Sequence, residues 1–142
     1  MNLSTHENDF YAWTQEQVQL LKTGQHHQID WHNIAEEIED MGRSEKRQLE
    51  SRLEVLIMHL LKWQFQPNLR SRSWQLTIKE QRLRLEKLLQ KNPSLQSHLT
   101  EAIQEVYPLA TISAERETGL SLFPENCLYT FTEILDSEFL PE

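Results

Sequence analysis

An all-α fold, a compact bundle of about five or six helices around a long central one, is predicted by three features of this sequence. Apolar residues recur every three or four positions, capping residues and helix breakers fall at the ends of those runs, and no stretch alternates polar and apolar side chains as a strand would.

The elements follow in order. Asp9 is placed to cap a first helix carrying Phe10, Trp13, Val18 and Leu21. Gly24 is placed to end it, because glycine enters the left-handed conformation without a Cβ clash. Asp30 is placed to cap a second helix in which Trp31, Ile34, Ala35, Ile38 and Met41 form one stripe expected to be buried, with Gly42 as its terminus. Ser44 then caps a third, whose Leu49, Leu53, Leu56, Ile57, Leu60 and Leu61 continue to Phe65 until Pro67 removes a backbone donor. Val55, Met58 and Trp63 widen its apolar surface, so the stretch from Glu45 to Gln66 is the expected central helix. Ser73 opens a fourth helix from Trp74 to about Lys91, with Trp74, Ile78, Leu85, Leu88 and Leu89 on one side. Asn92 and Pro93 open a fifth through Leu95, Leu99, Ala102, Ile103 and Val106. Pro108 is expected to kink or interrupt it, and Gly119 to end the part resuming at Leu109. Thr130 and Glu133 make a capping-box pattern for a short last helix through Phe131, Ile134 and Leu135.

At 142 residues the chain is expected to form a single helical domain, 1–142, large enough to bury a core without a metal or disulfide staple. The lone Cys127 cannot form an internal disulfide. The first residues lack the basic and apolar regions of a signal peptide, which makes the cytoplasm the expected compartment. Leu53 to Leu61, the longest apolar run, contains Glu54 and His59 and falls well short of the roughly 18 residues of a membrane span.

Net charge is -8, which disfavours nonspecific binding to nucleic acid or anionic lipid. It is unevenly spread. Residues 62–91 carry eight cations, Lys62, Arg70, Arg72, Lys79, Arg82, Arg84, Lys87 and Lys91, against Glu80 and Glu86, whereas residues 92–142 carry nine acids against Arg116 alone. The basic segment either pairs with the acidic one inside the fold or faces an acidic partner.

The chain resembles a bacterial family, abundant in cyanobacteria, known as domain of unknown function twenty-nine. The resemblance runs nearly the whole length. It rests on Asp9-Phe10-Tyr11-Ala12-Trp13, Ile29-Asp30 followed by Ala35-Glu36-Glu37-Ile38-Glu39, Met41-Gly42-Arg43-Ser44-Glu45 and His59-Leu60-Leu61-Lys62-Trp63. Gln66-Pro67, Ser73-Trp74, Arg82, Asn92-Pro93-Ser94-Leu95, Tyr107, Gly119-Leu120 and Phe123-Pro124 continue it. Leu128, where a proline commonly follows the cysteine, and Pro108 are departures. The resemblance implies an all-helical fold and carries no established activity, so it assigns no catalytic roles.

Four acids, Glu36, Glu37, Glu39 and Asp40, invite a metal-site reading, because helical carboxylates three or four apart hold divalent cations in some bundles. At about 100° per residue, however, Glu36 and Asp40 lie opposite the Trp31, Ile34, Ile38 stripe, and only Glu37 and Glu39 flank it. A solvated face with ion pairs is the favoured reading. His59 sits at the edge of the central helix's apolar face and could join Glu37 or Glu39 as ligand or base. One histidine without partners at metal-binding spacing favours a hydrogen-bonded boundary residue instead. His26, His27 and His32 read as polar surroundings of the second helix start.

Trp63, Phe65 and Trp74 interleave with Lys62, Arg70 and Arg72, a mixture able to stack bases and neutralise phosphates. Trp74 heads an apolar stripe and is favoured as a core anchor; Arg70 and Arg72 are the better anion-site residues. Leu76 and Leu83, seven apart, face away from that stripe. The acidic C-terminal segment is their favoured cover and a partner chain the alternative. Phosphate-cradling glycine motifs, a nucleophile elbow, paired cysteines and a His-Glu-x-x-His helix are all missing from the sequence.

These residues favour a non-catalytic interaction or regulatory module without cofactor or metal. Its binding surface is Arg70, Arg72, Leu76, Lys79 and Leu83, turned to an acidic protein or a second copy in a homodimer. The alternative is a metal-dependent nucleotide or nucleic-acid hydrolase with Glu37 and Glu39 as ligands, His59 as base or ligand, and Arg70 or Arg72 on phosphate. A small nucleic-acid-binding regulator is the third reading.

Overall fold

A computed structural model describes residues 3–142, and among these residues five α-helices and three short 3-10 turns make up the regular structure. No strand occurs among the described residues. The helices are α1 (Phe10–Lys22), α2 (Trp31–Phe65), α3 (Arg72–Lys91), α4 (Leu99–Thr118) and α5 (Phe131–Leu135). Contacts cluster into two compact units, one ending at Arg43 and one from Ser44 to Glu142.

In the first unit, the Asp9 side chain accepts a hydrogen bond from the Ala12 N–H at 3.0 Å and caps α1, and Gly24 follows its end with φ +71°. Both lie where local chemistry places them. Trp13, Gln17, Leu20 and Ile29 are buried. The Trp13 indole donates to Asp30 at 3.0 Å, and the Asp30 N–H donates to the Gln17 side-chain oxygen at 2.8 Å, so polar groups join α1 to the start of α2. Those bonds set the rotation of α2. Asn33, Ile34 and Glu37 are its half-buried positions in this unit, as is Asp30 just before it, whereas Trp31, Ile38 and Met41 are 54%, 62% and 66% exposed. The expected burial of the Trp31, Ile38, Met41 stripe is therefore corrected: hydrogen bonds on the neighbouring face outweigh its apolar periodicity.

A second correction concerns Gly42 and Ser44. Instead of ending one helix and capping another, they lie inside α2, which is continuous for 35 residues. Gly42 lacks the positive φ of a helix-ending glycine, and Arg43 pairs one turn back with Glu39 and Asp40, supporting the helix there. A glycine costs a helix interior about 1 kcal/mol, too little to break one whose flanks are strong helix formers. A Cβ added at Gly42 meets nothing within 4 Å. Gly42→Ala is accordingly expected to raise the unfolding free energy by about 0.5–1 kcal/mol in urea titrations. A loss of stability would contradict a helical Gly42.

In the second unit, Leu49, Leu53, Leu56, Ile57, Leu60 and Leu61 of α2 are completely buried. They join a core with Ile78 and Leu85 of α3, Leu99, Ile103, Ala110 and Ala114 of α4, and Ile134 of α5. The Phe65 and Phe123 rings meet edge to face at 5.5 Å. Thr130 and Glu133 form the expected capping box on α5.

Two boundaries in this unit differ from expectation. Ser71, not Ser73, caps α3, accepting from the Trp74 N–H at 3.2 Å. Pro93 starts a 3-10 turn through His98, in which the Ser97 hydroxyl donates to the Ser94 carbonyl, and α4 begins only at Leu99. Such local serine bonds compete with the α-helical ladder. Pro108 does not interrupt α4. Buried residues on both sides of it, Ile103, Val106, Tyr107, Ala110 and Ala114, hold the helix across the missing backbone bond.

Candidate functional site

The acidic cluster of α2 is occupied by partners within the first unit. Glu37 lies 2.6 Å from His6 Nε2, and that hydrogen bond is the main reason the His6 pKa is raised above its ordinary value. The His6 ring also meets Phe10 and Trp13 edge to face. Glu36 lies 3.2 Å from His32, Glu39 lies 3.7 Å from Arg43, and Asp40 also pairs with Arg43. His6 was invisible to spacing arguments because it stands 31 positions from Glu37.

His59 is half-buried in the second unit. Its Nδ1 lies 2.8 Å from the Val55 carbonyl, an acceptor, so Nδ1 carries the proton and donates. Burial pulls its pKa below the ordinary value and favours the neutral ring. Among the described residues, no group of three or more His, Cys, Asp or Glu side chains could hold a metal ion.

Several cations of residues 62–91 serve the fold. Lys62 is buried, donates to Glu117 at 2.5 Å and stands 4.8 Å over the Trp74 ring. Trp74 is half-buried, between core and surface. Arg82, 6% exposed, donates to the Ile134 and Glu133 carbonyls at 2.8 and 3.3 Å, satisfying the end of α5. Burial lowers its pKa. Arg70 donates to the Trp63 carbonyl near the end of α2 at 2.7 Å, reaches the Pro141 carbonyl at 3.5 Å and lies 5.0 Å over the Trp63 ring. Its guanidinium thus has structural acceptors, unlike the free anion-binding loop expected from sequence. Arg84 pairs with Glu80 and Lys91 with Glu45.

That leaves Arg72, Lys79 and Lys87, which form no ion pair among the described residues. All three are exposed on α3. Lys79 and Lys87 border a shallow groove of about 560 Å³ with Leu76, Glu80, Leu83 and Arg84. Leu76 and Leu83 are 47% and 50% exposed, so the C-terminal segment does not cover them as expected. Two leucines two turns apart, edged by cations, can bury the apolar ridge of an amphipathic helix and pair with acids beside it. Sequence reasoning named Leu76, Lys79 and Leu83 but missed Arg84 and Lys87 as members of this face. One helical turn beyond Leu83 would have found Lys87, and Arg84 stands one turn beyond Glu80.

A family model described as domain of unknown function DUF29 matches residues 5–140. Comparison with curated proteins and with solved structures found no match.

Proposed function

We propose that this chain, which belongs to the domain of unknown function DUF29 family, is a non-catalytic interaction module whose α3 outer face binds an acidic amphipathic helix of a partner protein. The carrying observation is the exposure of Leu76 and Leu83 beside Lys79 and Lys87, which form no ion pair among the described residues. Apolar burial between the two leucines supplies affinity, and the cations select an acidic ligand over a basic one. No helix among the described residues is long and apolar enough to cross a membrane, and the cytoplasm is the setting we assign.

The test compares Lys79→Glu/Lys87→Glu and Leu76→Asp/Leu83→Asp with the parent chain. Circular dichroism and light scattering after size exclusion report fold and assembly, and quantitative co-purification from the source cell reports partners. All four side chains project from the surface, so helicity should be retained while the same partner proteins are lost from both variants. An unchanged set of recovered proteins in folded variants would overturn the assignment, and a dimer of the parent chain that both variants dissolve would replace the acidic partner with a second copy.

A further inference from the structure

Pro108 has a consequence besides its place in α4. Proline has no N–H, so Pro108 cannot donate the usual helical bond to the Gln104 carbonyl one turn earlier. Both residues line a groove of about 600 Å³ that α4 forms with residues 125–131. This volume is in the range of small-molecule sites. Ile103, Tyr107, Tyr129 and Phe131 provide apolar wall. The groove shares no lining residue with that of α3.

Its polar groups favour a cation. The tyrosine hydroxyls are already committed, Tyr107 donating to the Pro124 carbonyl at 2.7 Å and Tyr129 to the Gln64 side-chain oxygen at 2.6 Å. Burial raises the pKa of Tyr107 to about 12, and it also raises those of Tyr129 and Cys127, keeping all three neutral at ordinary pH. Thr100, Gln104 and Asn126 side chains can donate or accept, so they do not choose a charge. Glu125, which is exposed, is the one formally charged side chain of the lining, and residues 92–142 carry nine acids against Arg116. A protonated amine would meet both a carboxylate and an under-used carbonyl.

We infer that the groove between α4 and residues 125–131 binds a small amphipathic amine, its apolar body against Ile103 and Phe131 and its ammonium between Glu125 and the Gln104 carbonyl. The reading does not depend on the α3 face.

Tryptamine and indole-3-propionate are suitable probes, being similar in size and aromatic surface but opposite in charge. Titrated separately into the ¹⁵N-labelled chain, tryptamine should bind saturably, shifting amides of residues 103–107 and 125–131, and should bind at least about tenfold more tightly than the acid. Glu125→Gln should weaken tryptamine binding and its salt dependence. Pro108→Ala, which restores the missing N–H, should weaken it as well while making α4 more resistant to hydrogen exchange. Equal binding of the two indoles, no saturable tryptamine binding, or unchanged affinity in both variants would overturn the inference.

Discussion

Leu60→Ala should lower the unfolding free energy by about 3 kcal/mol, because a completely buried leucine loses both its transfer free energy and its packing partners. Folded proteins are typically stable by about 5–15 kcal/mol, so the loss is a large share of that. The control is Leu76→Ala on the neighbouring helix. Leu76 is 47% exposed, and the same deletion there should change stability by less than about 0.5 kcal/mol. Urea unfolding followed by far-ultraviolet circular dichroism measures both. Similar costs at the two positions would contradict the assignment of Leu60 to the core and Leu76 to the surface.

The second large effect is expected at Arg82. Arg82→Met keeps much of the apolar stem but removes the guanidinium that satisfies the Ile134 and Glu133 carbonyls. Losing bonds from a charged donor, and leaving buried acceptors without partners, should cost about 2–4 kcal/mol. The loss should also be local. A helix as short as Phe131–Leu135 cannot persist alone, so hydrogen exchange over α5 should accelerate sharply while the Leu49–Leu61 part of α2 stays protected. Unchanged exchange in α5 would mean that Arg82 is not its anchor.

Arg82 also shows where one-dimensional reading ends. Its charge placed it with the basic strip, and only the return of the chain 52 positions later makes it a buried tie to α5. The partners of Glu37 and Lys62 were hidden for the same reason, lying 31 and 55 positions away. Features resting on neighbouring residues were legible: the Asp9 cap, the Gly24 terminus, the Thr130–Glu133 box and the leucine face from Leu49 to Leu61. Gly42 misled because glycine marks a helix end only when the backbone turns left-handed there, and here it does not. Trp31, Ile38 and Met41 misled because periodicity identifies a stripe without saying whether the fold has another surface to lay against it. On α3 the reverse occurred. Leu76 and Leu83 stood out as apolar residues on the wrong side of a helix, and the structure leaves them uncovered beside Lys79 and Lys87.

Hydroxyl-radical footprinting of the chain in its source cell, compared with the purified chain, tests recognition through α3 most directly. The account predicts slower oxidation of Leu76 and Leu83 in the cell, with exposed Leu109 and Ile112 of α4 unchanged as internal references. Equal oxidation of Leu76 and Leu83 in the two settings would contradict it.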